Sequence, residues 1–281
     1  MIALSICASS ARADQPPDRP ATLLGTTGAC NNLVAGGPCT QTSTLVQLDP
    51  RTGALVREIG PVGYTVNGLA WDRTSRTLYA TTAIGDVLFH GLITIDPFSG
   101  AGTPVDSTVV NFGLDGNSPI HSLAIDFFGN MVAWYDEFPP PAGVTDTFVR
   151  IDKNTGIATE YPDTGINTGN NGLAFTSVGA AGVLWNIDTT RRHDDGTTTQ
   201  AAYLIDPLTG KEISSISLSP PTPAALGDFN PTSHLYYGLN FTPFAPGSPT
   251  FIVTVDVAQG TVATLGQTVD NLHVLAFVST H

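Results

Sequence analysis

The sequence predicts an all-β fold: a five-bladed β-propeller of four-stranded antiparallel blades, closed by the C-terminal strand joining the N-terminal blade. The leading observation is a repeat in which an apolar strand runs into Asp, a turn and Gly: LVQLDPRTG, LITIDPFSG, FVRIDKNTG, YLIDPLTG and VTVDVAQG. Its aspartates, Asp49, Asp96, Asp152, Asp206 and Asp256, recur at steps of 47, 56, 54 and 50 residues. A period of about fifty, filled with short strands and Gly/Pro turns, is the signature of a propeller. The second observation is that the 29 Gly and 21 Pro fall between strand-like runs, as turns and not as disorder. The third is that the two ends of the chain hold complementary parts of one repeat.

Each unit reads as four strands. The second unit runs VNGLAWD (66–72), TLYATT (77–82), GLITIDP (91–97) and a weaker strand at GTPVDS (102–107). The third is IHSLAID, NMVAWYDE, TFVRIDK and IATEYP; the fourth is NGLAFTS, GVLWNID, AAYLIDP and EISSISL. The fifth is ALGDFN, HLYYGLN, FIVTVDV and TVATLG. The first unit has ATLLGTT (21–27), LVQLDP (45–50) and ALVREI (54–59), and its missing innermost strand reappears as NLHVLAF (271–277). Sharing one blade between both ends removes an open sheet edge. Trp71, Ile125, Phe175, Phe229 and Phe277 recur at one place in the units and are expected to pack blade on blade. The repeated aspartates are expected to accept turn amide hydrogens, with each Gly at positive φ.

Composition narrows the function. The chain of 281 residues is long enough for one closed all-β domain and needs no staple to fold. Its net charge of −13, from 24 acidic and 11 basic residues, excludes nucleic-acid or anionic-membrane binding through a basic surface. No run of eighteen apolar residues exists, so no membrane span is expected. Residues 1–13 read as the tail of a secretory signal, an apolar run (IALSICA) followed by Ala11-Arg12-Ala13, without a positively charged opening stretch. Residues 14–20 read as an N-terminal extension and 21–281 as a single propeller domain, in a secreted or periplasmic protein. Cleavage after Ala13 removes Cys7 and leaves Cys30 and Cys39, expected to form a disulfide across GACNNLVAGGPCT.

The units GLAWD-turn-TLYATT-LITIDP-x-x-G resemble the broad group of secreted bacterial β-propeller repeat proteins that includes NHL, SMP-30/gluconolactonase-like and YVTN-type repeats. The resemblance covers residues 21–278 and lies in repeat grammar, not in a catalytic motif. In lactonase-like members, acidic and amide residues around the central channel hold a metal. A divalent metal ion is therefore the cofactor that the resemblance implies. This chain does not match the full ligand set and has five repeats instead of six.

Innermost strands line the channel of a propeller. Aligning the units on Leu-Ala-aromatic puts Asn67, His121, Asn171, Ala225 and His273 at one position, where four of the five are polar. Three readings stay open: a ring holding channel waters, a ligand site, and a metal site on His121 and His273. Asp115, Asn117 and Ser118 precede His121; Asn167 and Asn170 precede Asn171; Asp270 and Asn271 precede His273; Asp228 follows Ala225. Asp115, Asp228 and Asp270 are therefore expected at the same channel mouth, where carboxylates near histidine could do acid–base work. The polar stretch 188–199 reads as a solvated hairpin, with Asp188, Asp194 and Asp195 lacking calcium-loop spacing. Phe138, Phe241 and Phe244, in Pro-rich stretches, offer a docking surface or self-packed loops.

No nucleophile elbow, His-Glu-x-x-His, phosphate-binding glycine loop or Cys-x-x-Cys is present. The leading expectation is a monomeric ligand-binding or interaction module acting through the channel-mouth loops, its partner a small molecule, carbohydrate or extracellular protein. The alternatives are an extracellular hydrolase or lyase acting on a carbohydrate or lactone at the same mouth, and a metal-binding protein using the central His/Asn ring.

Overall fold

The computed structural model describes residues 21–27, 42–83, 90–114, 120–135, 147–161, 164, 171–176, 182–192, 198–240 and 249–279. They form five four-stranded antiparallel sheets arranged as a five-bladed β-propeller. Residues 1–20, Cys30, Cys39 and Asp115 lie outside the described residues, as do Asn117, Ser118, Phe138, Asn167, Asn170, Asp194, Asp195, Phe241 and Phe244.

Blade 1 holds β1 (Thr22–Thr27), β2 (Thr44–Leu48) and β3 (Leu55–Pro61), with β20 (Leu272–Val278) as its innermost strand. Blade 2 is β4 (Val66–Asp72), β5 (Thr77–Thr82), β6 (Leu92–Ile95) and β7 (Gly102–Pro104). Blade 3 is β8 (Ile120–Ile125), β9 (Met131–Tyr135), β10 (Thr147–Ile151) and β11 (Ala158–Glu160). Blade 4 is β12 (Asn171–Phe175), β13 (Leu184–Arg192), β14 (Thr198–Ile205) and β15 (Glu212–Ser217). Blade 5 is β16 (Ala225–Phe229), β17 (Tyr236–Asn240), β18 (Phe251–Asp256) and β19 (Thr261–Gln267). Of the stretch 188–199, residues 188–192 continue β13 and 198–199 begin β14, with Arg192 opposite Thr198 in their ladder.

The innermost strands β20, β4, β8, β12 and β16 touch in that order and close on one another. Between the blades lie five hydrophobic clusters. Trp71, Ile125, Phe175, Phe229 and Phe277 each fall in a different cluster, as their common place in the repeat predicts. Edge-to-face rings add directional contact across the last interface, with Tyr237 and Phe277 centroids 5.0 Å apart. One ion pair also crosses between blades: Lys153 Nζ, on the β10–β11 turn, donates to Asp72 Oδ2 at the end of β4. Burial pushes the Asp72 carboxyl up, but hydrogen bonds from Lys153, Thr74 and Ser75 outweigh it and hold the group at about 2.

The five repeated aspartates do what the turn chemistry requires. Each accepts, 2.9 Å away at Oδ1, the N–H two residues on, from Arg51, Phe98, Asn154, Leu208 and Ala258. Each backbone carbonyl takes the N–H of the glycine that follows, and Gly53, Gly100, Gly156, Gly210 and Gly260 sit at φ between 66° and 83°. These side chains are consumed by their own turns. The hairpins lie at the end of the molecule where the innermost strands finish, called here the turn end. The opposite face, where those strands begin, is the loop end.

The closing seam runs between β1 and β20, and Gly25 lies in it where a side chain has no room. A Cβ there would meet Leu272 Cδ1 at 2.8 Å and Val274 O at 3.0 Å. Gly25→Val should therefore lower stability by about 2–3 kcal/mol in urea unfolding. Gly63→Ala, with nothing within 4 Å of the added carbon, should cost only about 1 kcal/mol for its positive φ. Equal losses would contradict this account of the seam.

Candidate functional site

The loop end of the channel is built on three β-bulges. In the β4–β5 ladder Val66 faces Thr82 and Gly68 faces Thr81, which leaves Asn67 as the extra residue. His121 is extra between Ile120 and Ser122 on β8, and His273 between Leu272 and Val274 on β20. A bulge interrupts the alternation of side chains along a strand and re-aims the extra one. Here all three turn to one another. The Asn67 side-chain N–H donates to His121 Nδ1 at 3.0 Å, and His273 Nε2–H donates to Asn67 Oδ1 at 3.1 Å.

Neighbouring groups fix where these strands start. Ser43 Oγ, from blade 1, accepts the Val66 N–H at 2.9 Å. The Thr81 hydroxyl donates to the Ile120 carbonyl at 2.8 Å, tying blade 2 to blade 3 beside His121. Asn271 leads into β20 with φ at 59°, a conformation Asn tolerates better than most residues. The relay thus joins blades 1, 2 and 3.

The partners dictate the protonation. An amide nitrogen only donates, so His121 Nδ1 carries no hydrogen; an amide oxygen only accepts, so His273 Nε2 carries one. Burial, and then the neighbouring His273, lower His121 to about 3. Burial lowers His273 to about 4. Both rings are neutral at ordinary pH. Asn67 and His273 are buried and His121 is half-buried.

Among the described residues, little space is left below the relay. The cavity lined by Leu69, Leu123, Leu173, Leu226 and Val274 has ≈ 10 Å³ of free space, room for about one water. A ligand at this end would rest on the relay and not thread through.

The five expected ring positions divide as follows. Asn67, His121 and His273 come together. Asn171 starts β12 in regular register with Asp188, and its side chain is not among those described. Ala225 is buried at the matching place. Asp270 is exposed in the β19–β20 connection at the same end. Asp228 departs from the expectation: three residues beyond Ala225 along an extended strand, about 10 Å, it sits at the turn end, in a separate cavity with Arg73, Asp126 and Phe127. Arg73 and Phe127 had no signal in the repeat alignment. Asp228 had one, because the aligned positions in the other units are Ala70, Ala124, Ala174 and Ala276.

For a metal, the relay is a poor cage as it stands. Asn67 occupies the facing nitrogens of both rings, so a shared ion would have to displace the amide. Among the described residues, no group of three or more His, Cys, Asp or Glu side chains is placed to hold an ion. Nor is there, among them, a helix long and apolar enough to cross a membrane.

No protein-family model matches the chain, and no curated protein matches it. Solved structures do. A Bacteroides thetaiotaomicron structural-genomics protein of unknown function is similar over 90% of this chain and 59% of its own, at 15% identity and TM-score 0.48. This chain therefore spans about three fifths of that protein. The Pseudomonas aeruginosa periplasmic gluconolactonase PpgL is similar over 93% and 86%, at 14% identity and TM-score 0.45. A luciferin-regenerating enzyme is similar over 72% and 76%, at 16% identity and TM-score 0.43. At such identities and TM-scores the likeness carries no argument about activity.

The neutral histidines make stability depend on pH in a known direction. Their folded values lie below the unfolded value near 6.5, so the unfolded chain gains protons first as pH falls. The contribution is complete above pH 6.5 and is lost as pH falls towards 4 and then 3. Between pH 7 and 5 the loss is about 2 kcal/mol per histidine. Asp228, raised by burial to about 6, works the other way and offsets about 1 kcal/mol over that interval. Urea unfolding at both pH values should show a fall of about 3 kcal/mol in the native protein, replaced in the His121→Gln/His273→Gln double variant by a rise of about 1 kcal/mol from Asp228. An equal fall in the two would contradict the relay.

Proposed function

We propose that this protein is an exported binding module that holds a small, uncharged polar ligand, a carbohydrate above all, at the loop end of its channel. The observation that carries this reading is the Asn67 amide bridging two neutral imidazoles. Groups already locked by one another lose little freedom when a ligand arrives, so their hydrogen bonds are not spent on ordering. The relay itself is polar but uncharged, which suits hydroxyl groups better than ions. The filled channel beneath supports docking on the end of the molecule.

The same observation favours binding over turnover. A general acid or base works best with a pKa near the operating pH, and these imidazoles stand at about 3 and 4. Of the carboxylates expected beside them, Asp270 is exposed, Asp228 stands at the other end and Asp115 lies outside the described residues.

The test is a panel of neutral oligosaccharides in calorimetric titrations, run beside lactone and polysaccharide turnover assays with and without EDTA. Saturable binding without turnover, insensitive to EDTA and weakened at least tenfold in Asn67→Ala and His273→Ala, is the expected result. Turnover that disappears in those variants would replace this reading with an extracellular hydrolase or lyase. Near-stoichiometric metal in the purified protein, lost in the His121→Ala/His273→Ala variant, would replace it with a metal-binding protein.

A further inference from the structure

The turn end of the channel breaks the fivefold pattern once. At the position held by Ala70, Ala124, Ala174 and Ala276, blade 5 carries Asp228. The backbone departs from the repeat at the same place. Leu226 and Gly227 together face Gly238, and Leu226 is at φ 52°. A side chain on Gly227 would strike the Tyr237 carbonyl, so the irregular backbone tolerates nothing larger there. Beyond this bulge the Asp228 carboxylate is held on both oxygens. Oδ1 accepts the Phe229 N–H at 2.7 Å, and Oδ2 accepts the Phe277 N–H at 2.8 Å from blade 1.

Ala70, Ala124 and Ala174 border a cavity of ≈ 30 Å³ beside that carboxylate, room for about two waters or an ammonium group. Trp71, Phe175 and Phe277 wall it, and the Trp71 indole N–H has no acceptor among the described residues. At the lip, the Arg73 guanidinium lies 4.8 Å from the centre of the Phe127 ring. Arg73 attracts Asp228 but forms no ion pair with it among the described residues. Asp126, the other carboxylate in the wall, is engaged by the N–H groups of Phe128 and Asn130 and by the Asn130 amide. Two carboxylates against one guanidinium leave the cavity one negative charge in excess.

We propose that this cavity is a second binding site, for a small organic ammonium ion: a primary amine on a short apolar stem. Asp228 takes the charge, and the aromatic walls take the stem and the cation's outer face. Burial already raises the proton affinity of Asp228, so a bound cation relieves a carboxylate that Arg73 leaves under-compensated. The aromatic lining separates such a ligand from an inorganic ion, which would want further oxygen donors.

The probe is n-butylammonium, titrated calorimetrically into the full chain at pH 7.5, with n-butanol and butyrate as neutral and anionic counterparts. Saturable binding of butylammonium, at least tenfold tighter than either counterpart, is expected. Arg73, Asp126 and the Tyr236 phenol are the charged and titratable groups facing Asp228. With the carboxyl raised to about 6, affinity should fall about tenfold between pH 7.5 and 5. Asp228→Ala, which restores the residue used by the other four blades, should abolish binding. Arg73→Ala, an exposed change, should tighten binding several-fold by removing the competing cation. No binding to the folded native protein, equal binding of butanol or butyrate, weaker binding in Arg73→Ala, or potassium binding as tight as butylammonium would each overturn the assignment.

Discussion

Closure of the innermost strands is the constraint on which the rest depends. Five twisted sheets can share an axis only if each innermost strand touches two neighbours, and the fifth contact needs β20 inside blade 1. Once β20 pairs with β1, every blade has two covered faces and every interface has its own apolar cluster. Among the described residues the core is divided into five clusters. Stability is spread over five similar interfaces, with Gly25 marking a place on the closing seam where no side chain fits.

Closure also explains where polar chemistry collects. Near the axis the strands are crowded, and bulges let individual side chains escape the alternation that packs the blades. Three bulges bring Asn67, His121 and His273 together from three blades. A fourth irregularity, at Leu226 and Gly227, precedes a carboxylate in a column of alanines. The two ends of the channel therefore differ in kind. One holds an uncharged polar relay, the other a half-buried carboxylate, and aliphatic side chains pack between them.

The architecture was legible in the chain because it repeats. Asp-turn-Gly hairpins and alternating strands are local patterns, and the split first blade follows from counting what each end lacks. The ring position was legible too, since aligned units place Asn67, His121 and His273 in one column. What could not be read was the bulge at each of these residues, because an extra residue in a ladder is defined only against its partner strand. The same applies to Asp228. It lies three residues beyond Ala225, and the rise of an extended strand carries it away from that residue's end of the channel. Arg73 and Phe127 are brought to Asp228 by the meeting of blades 2, 3 and 5, which no local pattern encodes.

One amide holds two neutral imidazoles across three blades, both fixed in the Nε2–H tautomer. Nitrogen-15 chemical shifts of the ring nitrogens, read through two-bond couplings at pH 5.5, test it most directly. The account predicts that both rings are neutral there, with His121 protonated at Nε2 and bare at Nδ1, and His273 protonated at Nε2. A protonated imidazolium at either position, or a His121 ring carrying its hydrogen on Nδ1, would contradict it.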